Sequence, residues 1–442
     1  QLWLDLRSLY PDNFSVQDLD KIAAAFQSEE TLLYATFALK KLIMVQEGAL
    51  IQDVIATGCI PKLVECLQRA DFPQLQHEAA WVLGNIASGS TESTAKVVES
   101  GALTHLNKLL TSSNNELKEV AALAYGNVMG DSVEFRDACL ASEGHRFLAE
   151  AVKGANDKVL CNISWALTNC CRIKPLLPLE VVQLIIPVIA QIFIKVSDEE
   201  VITDDLWAFA HASNSRSISQ LLVDLQVLPK VAQLTSNCKK AISVAALRVL
   251  GNLVEASDEL TDAVIGAGGL DYAYVLLHSE HQPVVIEILW MLSNIAAGTP
   301  RQASMLFENG ILTGVIEKGV EGSDKELREA CYVLLSLSET STEDQLAIAV
   351  EAGAFRMLTR GLLCRSETAK VALQAVKGYL SRAVPVTPLL TAFREAGGIE
   401  ALKNSGEEHE SEVDFILANY FPEEVGSDNS DDDSEEANNN NS

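Results

Sequence analysis

The sequence predicts an all-α solenoid of repeated helices. Three observations predict it: a recurring motif, the constancy of its spacing, and a composition able to fill one long core. The motif is Glu78 to Gly89, EAAWVLGNIASG. It returns as ISWALTNCCR around Trp165, as DDLWAFAHASNS around Trp207 and as EILWMLSNIAAG around Trp290. In each copy a Trp stands four residues before an Asn or its substitute. Residues i and i+4 share a helix face, so each pair makes one patch of an aromatic plate beside an amide.

The register is Lys41, Asn85, Asn127, Asn169, His211, Asn252, Asn294, Ser336 and Leu380, with steps of 44, 42, 42, 42, 41, 42, 42 and 44. A fixed period in this range marks a helical repeat array of the armadillo or HEAT kind. Such repeats cannot bury their apolar faces alone, so they stack, and residues at one register form rows.

Composition agrees. By length, 442 residues suggest about three ordinary domains, but the unbroken period argues for one elongated unit. An apolar content of 48% feeds a continuous core, and only 12 prolines interrupt it. The most apolar stretch, Val181 to Val196, carries Gln183, Pro187, Gln191 and Lys195 and is no membrane span. The opening, QLWLDLRSLYPDNF, has neither the basic start nor the apolar core of a signal peptide. Nine cysteines without metal-ligand spacing then read as reduced and buried, in a cytosolic or nuclear protein. The net charge is −28. Such a surface repels nucleic acid and anionic lipid and favours a cationic partner. The tail holds eight carboxylates and leaves the body at −20. It has no apolar periodicity and reads as disordered.

Taken in order, residues 1–13 are irregular, 14–421 form nine to ten repeats and 422–442 are the acidic, Asn-rich tail. Phe14 to Gln27 reads as a short capping helix, and Leu32 to Val45 as the third helix of the first repeat. Each later repeat has a short helix closed by a Gly (Gly58, Gly101, Gly144, Gly268, Gly310, Gly353, Gly397), whose left-handed conformation costs no Cβ clash. A second helix follows, with Pro61, Pro187 or Pro229 near its first turn, where a missing N–H costs nothing. The third and longest helix, such as Leu75 to Ala87 or Val284 to Ala297, carries the register. Two repeats lack the Gly, at Leu184 and Gln226. Ile173 to Glu180 reads as a linker, and Glu412 to Tyr420 as a closing partial repeat.

Third helices packed roughly 8–10 Å apart meet an extended chain rising about 3.3 Å per residue every two or three residues. An Asn can hold a peptide's main chain whatever its side chains. Trp plates one repeat apart form slots for Lys or Arg stems, with cation–π attraction of about 0.5–2 kcal/mol. A lone Trp or Asn is more often a packing residue; a period-matched row in an acidic chain points to an extended, Lys/Arg-rich ligand. Other signals are weaker. GAGGLD at Gly266 to Asp271 follows a helix and is a repeat loop rather than a phosphate cradle. Cys170 and Cys171 suit core packing better than a metal site. His211 reads as a polar substitute that could sense pH. Asp204 and Asp205 suit attraction of a basic ligand better than acid–base work. Asn162-Ile-Ser spells a glycosylation acceptor but lies mid-helix. No nucleophile–base constellation is present, and no cofactor is implied.

At HEAAWVLGNIASGS, GNVMGDS, WALTNCCR, ALRVLGNLVE, ILWMLSNIAAGT and ILANYFPEE, the chain resembles the importin α family, adaptors that bind nuclear localisation signals. The resemblance runs from about Phe14 to Glu424. It implies an all-α right-handed armadillo superhelix that is not an enzyme and shuttles between cytoplasm and nucleus. It implies a main signal-binding site on repeats two to four: Trp81, Asn85, Gly89 (through its carbonyl), Thr94, Asn127, Asp131 as the acid that grips the key lysine, Trp165 and Asn169, with Asp204 and Trp207 beyond them. It implies a minor site on repeats six to eight: Arg248, Asn252, Val254, Thr261, Glu287, Trp290, Asn294, Glu329 and Tyr332.

Three departures stand out. Repeat three has Leu123 where the family has Trp, with Val120 for a polar residue one turn earlier. Repeat eight has Tyr332 and Ser336 for Trp and Asn. No Lys/Arg-rich run precedes Phe14, so recruitment of importin β requires a basic segment outside this chain. Gly397 to Glu424 resembles the docking region of the family's export receptor. The alternative reading is an armadillo scaffold for other partners in signalling or adhesion. Such a scaffold would line its groove with basic rows, whereas this chain shows Trp, Asn and acid rows.

Overall fold

The computed structural model describes residues 16–45, 50–213, 215–364, 367–382, 387–405 and 409–424. Residues 1–13, read as irregular from the sequence, and the tail beyond Glu424 lie outside them. Among the described residues every regular element is a helix. The chain divides into two compact units, residues 1–214 and 215–442.

Among the described residues, nine long helices carry the predicted register. In the first unit they are α1 (Leu32–Val45), α2 (Pro73–Ile86), α3 (Asn115–Asp131), α4 (Asp157–Arg172) and α5 (Glu199–Ala212). In the second they are α6 (Lys240–Ala256), α7 (Gln282–Ala296), α8 (Asp324–Thr340) and α9 (Glu367–Arg382). Within each unit every long helix packs on the next. Local chemistry sets their starts. The side chains of Asn114, Asn156 and Asp198 accept from the first free amides of α3, α4 and α5. Ser323 and Glu326 form a reciprocal capping box on α8. Each device satisfies donors that a helix start leaves unpaired.

Burial along these helices has the period of the sequence. Between Leu75 and Ile86 only His77, Trp81 and Asn85 escape burial; between Leu117 and Met129, only Glu119, Leu123 and Asn127. The same partly exposed stripe recurs as Thr203, Trp207 and His211 on α5, Val244, Arg248 and Asn252 on α6, and Ile286, Trp290 and Asn294 on α7. Four-residue spacing is one face of a helix. The rest of each helix is core: Ala79, Val82, Leu83, Ala121, Val128, Ile163 and Leu167 are fully buried.

Several expectations are corrected. Leu380 is fully buried. The stripe on α9 falls instead on Gln374 and Gly378, because the step of 42 holds where 44 was read. Gly144 does not take the left-handed conformation. Glu143 does, at φ 61°, because Gly144 opens the next helix against Tyr125, where a Cβ would stand 2.3 Å from the ring. The other six glycines named above have positive φ, and Gln226 substitutes for the missing one at φ 59°. At Leu184 no break occurs: Leu179–Lys195 is one helix with Pro187 inside it. No residue there provides a left-handed turn, so two short helices fuse. Pro61 and Pro229 do occupy first turns. The third helices read as Leu75–Ala87 and Val284–Ala297 begin two residues earlier and end one residue earlier, and the closing helix is Glu410–Tyr420. Cys238 is exposed and Cys161 and Cys364 are half-buried, because they fall off the core faces; the other six thiols are buried.

Candidate functional site: a stripe of indoles, amides and acids

In the first unit the stripe brings together Trp81 and Asn85 on α2, Leu123 and Asn127 on α3, Trp165 and Asn169 on α4, and Trp207 on α5. The amides are partly spent on the fold. Asn127 Nδ2 donates to the Gly84 carbonyl at 2.8 Å, and Asn169 Nδ2 to the Gly126 carbonyl at 3.1 Å, each one repeat back. These bonds stitch neighbouring helices and fix the amide planes. One N–H and the carbonyl oxygen of each amide remain for a ligand. Asn85 Nδ2 donates to the Trp81 carbonyl at 2.9 Å instead. Asn169 is more buried than its counterparts, at 7% exposure.

Close packing of the plates needs glycines. A Cβ on Gly126 would lie 2.1 Å from the Trp165 ring, and one on Gly251 would lie 2.2 Å from the Trp290 ring. A mid-helix glycine costs about 1 kcal/mol relative to alanine; here it lets an indole lie on the neighbouring backbone.

Asp131 ends α3. Its Oδ1 stands 3.4 Å from Thr94 Oγ1 and 3.5 Å from Thr91 Oγ1. Its Oδ2 is buried with no hydrogen-bond partner. A buried carboxylate oxygen without a donor is costly, and a cation at this point would relieve it. Thr94 is fully buried, and its hydroxyl donates to the Ala87 carbonyl at 3.0 Å. It braces the turn beside Asp131, while Gly89 is exposed. The same brace recurs in the second unit, where Thr261 Oγ1 donates to the Val254 carbonyl at 3.1 Å. Asp204 is half-buried. Burial and the neighbouring Glu200 hold its carboxyl above the usual range, with Arg172 opposing. His211 stacks on Trp207 with ring centroids 5.9 Å apart, and burial, with Lys174 and Arg172, lowers its affinity for a proton. Asp205 is fully buried and accepts from Ser164, so it belongs to the core and not to the stripe.

The second unit carries the same residues with their charges already matched. Glu287 is paired by both arms of Arg248, and that guanidinium lies over the Trp290 ring at 5.1 Å. Glu329 accepts from Arg328 at 2.9 Å. Asn252 and Tyr332 are half-buried, and Asn294 has its Nδ2 buried without a partner. A related trio lies in the first unit: Lys40 sits 5.2 Å over Trp81 and 2.9 Å from Glu78.

Sequence reading missed two contributors. Asn162, one turn before Trp165, donates to the Glu119 carbonyl at 3.2 Å and lines a cavity of about 560 Å³ with Glu119, Asp157 and Asp198. Its place three residues before an indole was the available signal. Lys40 was missed because it stands one position off the register. Burial pushes the Cys170 thiol up to about 12 and that of Cys171 higher still, as befits packing residues. Among the described residues no cluster of metal-binding side chains occurs. Also among them, no helix is long and apolar enough to cross a membrane.

The family model of the armadillo/beta-catenin-like repeat matches residues 49–88. Importin subunit alpha-1b of Oryza sativa subsp. japonica is 37% identical over 271 residues, 60% of this chain and 51% of that protein. Importin subunit alpha-1a of the same organism is 34% identical over 66% of this chain and 56% of that protein. The chain is similar to importin α subunits over part of their length. Importin subunit alpha-B of Dictyostelium discoideum is 34% identical over 55% of this chain and 48% of that protein. The chain thus spans about half the length of the importin α subunits it matches. The crystal structure of an engineered protein superposes with a TM-score of 0.77 at 25% identity, covering 91% of this chain and 97% of that one. The fold is an all-α armadillo solenoid.

Proposed function

We propose that the protein is a nuclear import adaptor. It binds Lys/Arg-rich localisation signals as extended segments along the register stripe, mainly on repeats two to four, and shuttles between cytoplasm and nucleus. Its partners are the basic cargo proteins. Importin β joins only through a basic segment outside this chain, and an export receptor docks on Gly397 to Glu424.

The observation that carries the reading is the buried, partnerless Oδ2 of Asp131, one turn beyond Asn127 on the helix whose Gly126 the Trp165 ring covers. An ammonium group meets there an unmatched carboxylate, and the amides of Asn85, Asn127 and Asn169 face the segment's main chain. Preference for this site over the one on repeats six to eight follows from charge. Glu287 and Glu329 already hold arginines, so a ligand cation there must compete with them. An adaptor needs no catalytic group.

Titration of a fluorescent six-lysine peptide into the wild type and Asp131→Lys tests the proposal. Wild-type binding that weakens as salt rises and is lost in the variant is expected. Equal affinity for both proteins refutes it. A scaffold for acidic partners would bind a polyglutamate peptide instead.

A further inference from the structure

We propose that the slot between α3 and α4 selects an uncharged aliphatic side chain of the bound segment (Leu, Ile, Val or Met), and that Leu123 sets this preference. The inference rests on the proposed reading of the stripe and names the class of signal it takes.

Two junctions are built alike. The Trp165 ring lies on Gly126 of α3 as the Trp290 ring lies on Gly251 of α6. In both, the residue at the Trp position of the earlier helix stands three positions before that glycine, one turn away on the same face. At the α6–α7 junction this residue is Arg248, which lies over the indole and pairs with Glu287, three residues before Trp290. At the α3–α4 junction the same place holds Leu123, and Asn162 replaces the acid. Asn162 has already turned its amide to the Glu119 carbonyl. One turn before Leu123, Val120 is buried at 3% exposure.

The slot therefore keeps its indole, has an aliphatic side chain in place of the arginine, and lacks the acid that would hold a cation. An entering ammonium or guanidinium gives up hydration for one aromatic face. Glu119, one turn before Leu123, lines the neighbouring cavity, where Lys158 and Lys195 stand with Asp157 and Asp198. An aliphatic side chain meets Leu123 on one side and Trp165 on the other and surrenders no charge hydration.

The test is a scan: one six-lysine peptide flanked by Gly-Ser, and six versions each with a single Lys→Leu change, titrated against wild type, Leu123→Trp, Leu123→Glu and Leu123→Met. In the wild type, leucine at one position is expected to bind within about threefold of the all-lysine peptide or better. At the other charge-reading positions it should lose about tenfold. Leu123→Trp and Leu123→Glu should abolish the tolerated position, and Leu123→Met should keep it. Matching unfolding midpoints confirm that each variant is folded. A wild-type scan with no tolerated position, or one unchanged in Leu123→Trp and Leu123→Glu, overturns the inference and leaves the adaptor reading standing. Failure of the all-lysine peptide to bind the wild type overturns both.

Discussion

Replacing Asp131 with Asn separates a ligand-binding acid from a structural one. The change keeps the shape of the side chain and removes its charge. In the free protein the carboxylate obtains little: Oδ2 has no partner, and Oδ1 has two hydroxyls at 3.4 and 3.5 Å. Deleting a poorly satisfied buried charge lowers a desolvation cost, so Asp131→Asn should unfold at the wild-type denaturant midpoint or slightly above it. Binding should move the other way. Two unit charges about 4 Å apart attract by about 4 kcal/mol at an effective dielectric of 20. Partial exposure and salt reduce this to the range of a charged hydrogen bond, about 1.5–3 kcal/mol, or roughly 10- to 150-fold in affinity. Peptide titration and chemical unfolding of the same preparations measure both quantities. A variant that binds normally but loses more than about 1 kcal/mol of stability would show that Asp131 holds the fold and not a ligand.

Two further outcomes follow from packing and burial. Gly126→Ala places a Cβ 2.1 Å from the Trp165 ring. Overpacking of about 1–3 kcal/mol should outweigh the helical gain of about 1 kcal/mol, with a shift in tryptophan fluorescence. Gly84→Ala, whose Cβ would meet Ala124 at 3.2 Å, should be milder, and equal losses would contradict the assigned ring position. His145 is buried, and desolvation, aided by Arg146 and opposed by Glu143, lowers its pKa from 6.5. The unfolded state then takes the proton first, so this contribution to stability is intact above 6.5 and falls as pH drops through the folded value. The unfolding midpoint of His145→Gln should decline less between pH 7 and pH 5 than that of the wild type; parallel curves would remove His145 from the account.

Much of the fold was legible in a period. Steps of 42 identified the third helices and showed which residues share a stripe, from Trp81 to Ser336. Reading failed where the period was stretched, as at Leu380, and where a left-handed turn was assigned by residue type, as at Gly144. Glu143 takes that turn because the packing of Tyr125 leaves room only for a glycine one position later. No local signal reports this, since the two residues meet through the tertiary fold.

The sequence by itself determined the repeat architecture, the acidic character and the positions at which indoles and amides recur, because helical periodicity and burial are local properties of composition and order. Only the tertiary structure decided which of those groups are still open to a ligand. It turns the amides of Asn127 and Asn169 onto the preceding repeat, fills the faces of Trp81 and Trp290 with Lys40 and Arg248, and leaves one oxygen of Asp131 unmatched. The physical reason is distance along the chain. Most of these contacts join residues about 40 positions apart, and stacking geometry, not the repeat unit, decides whether such partners meet.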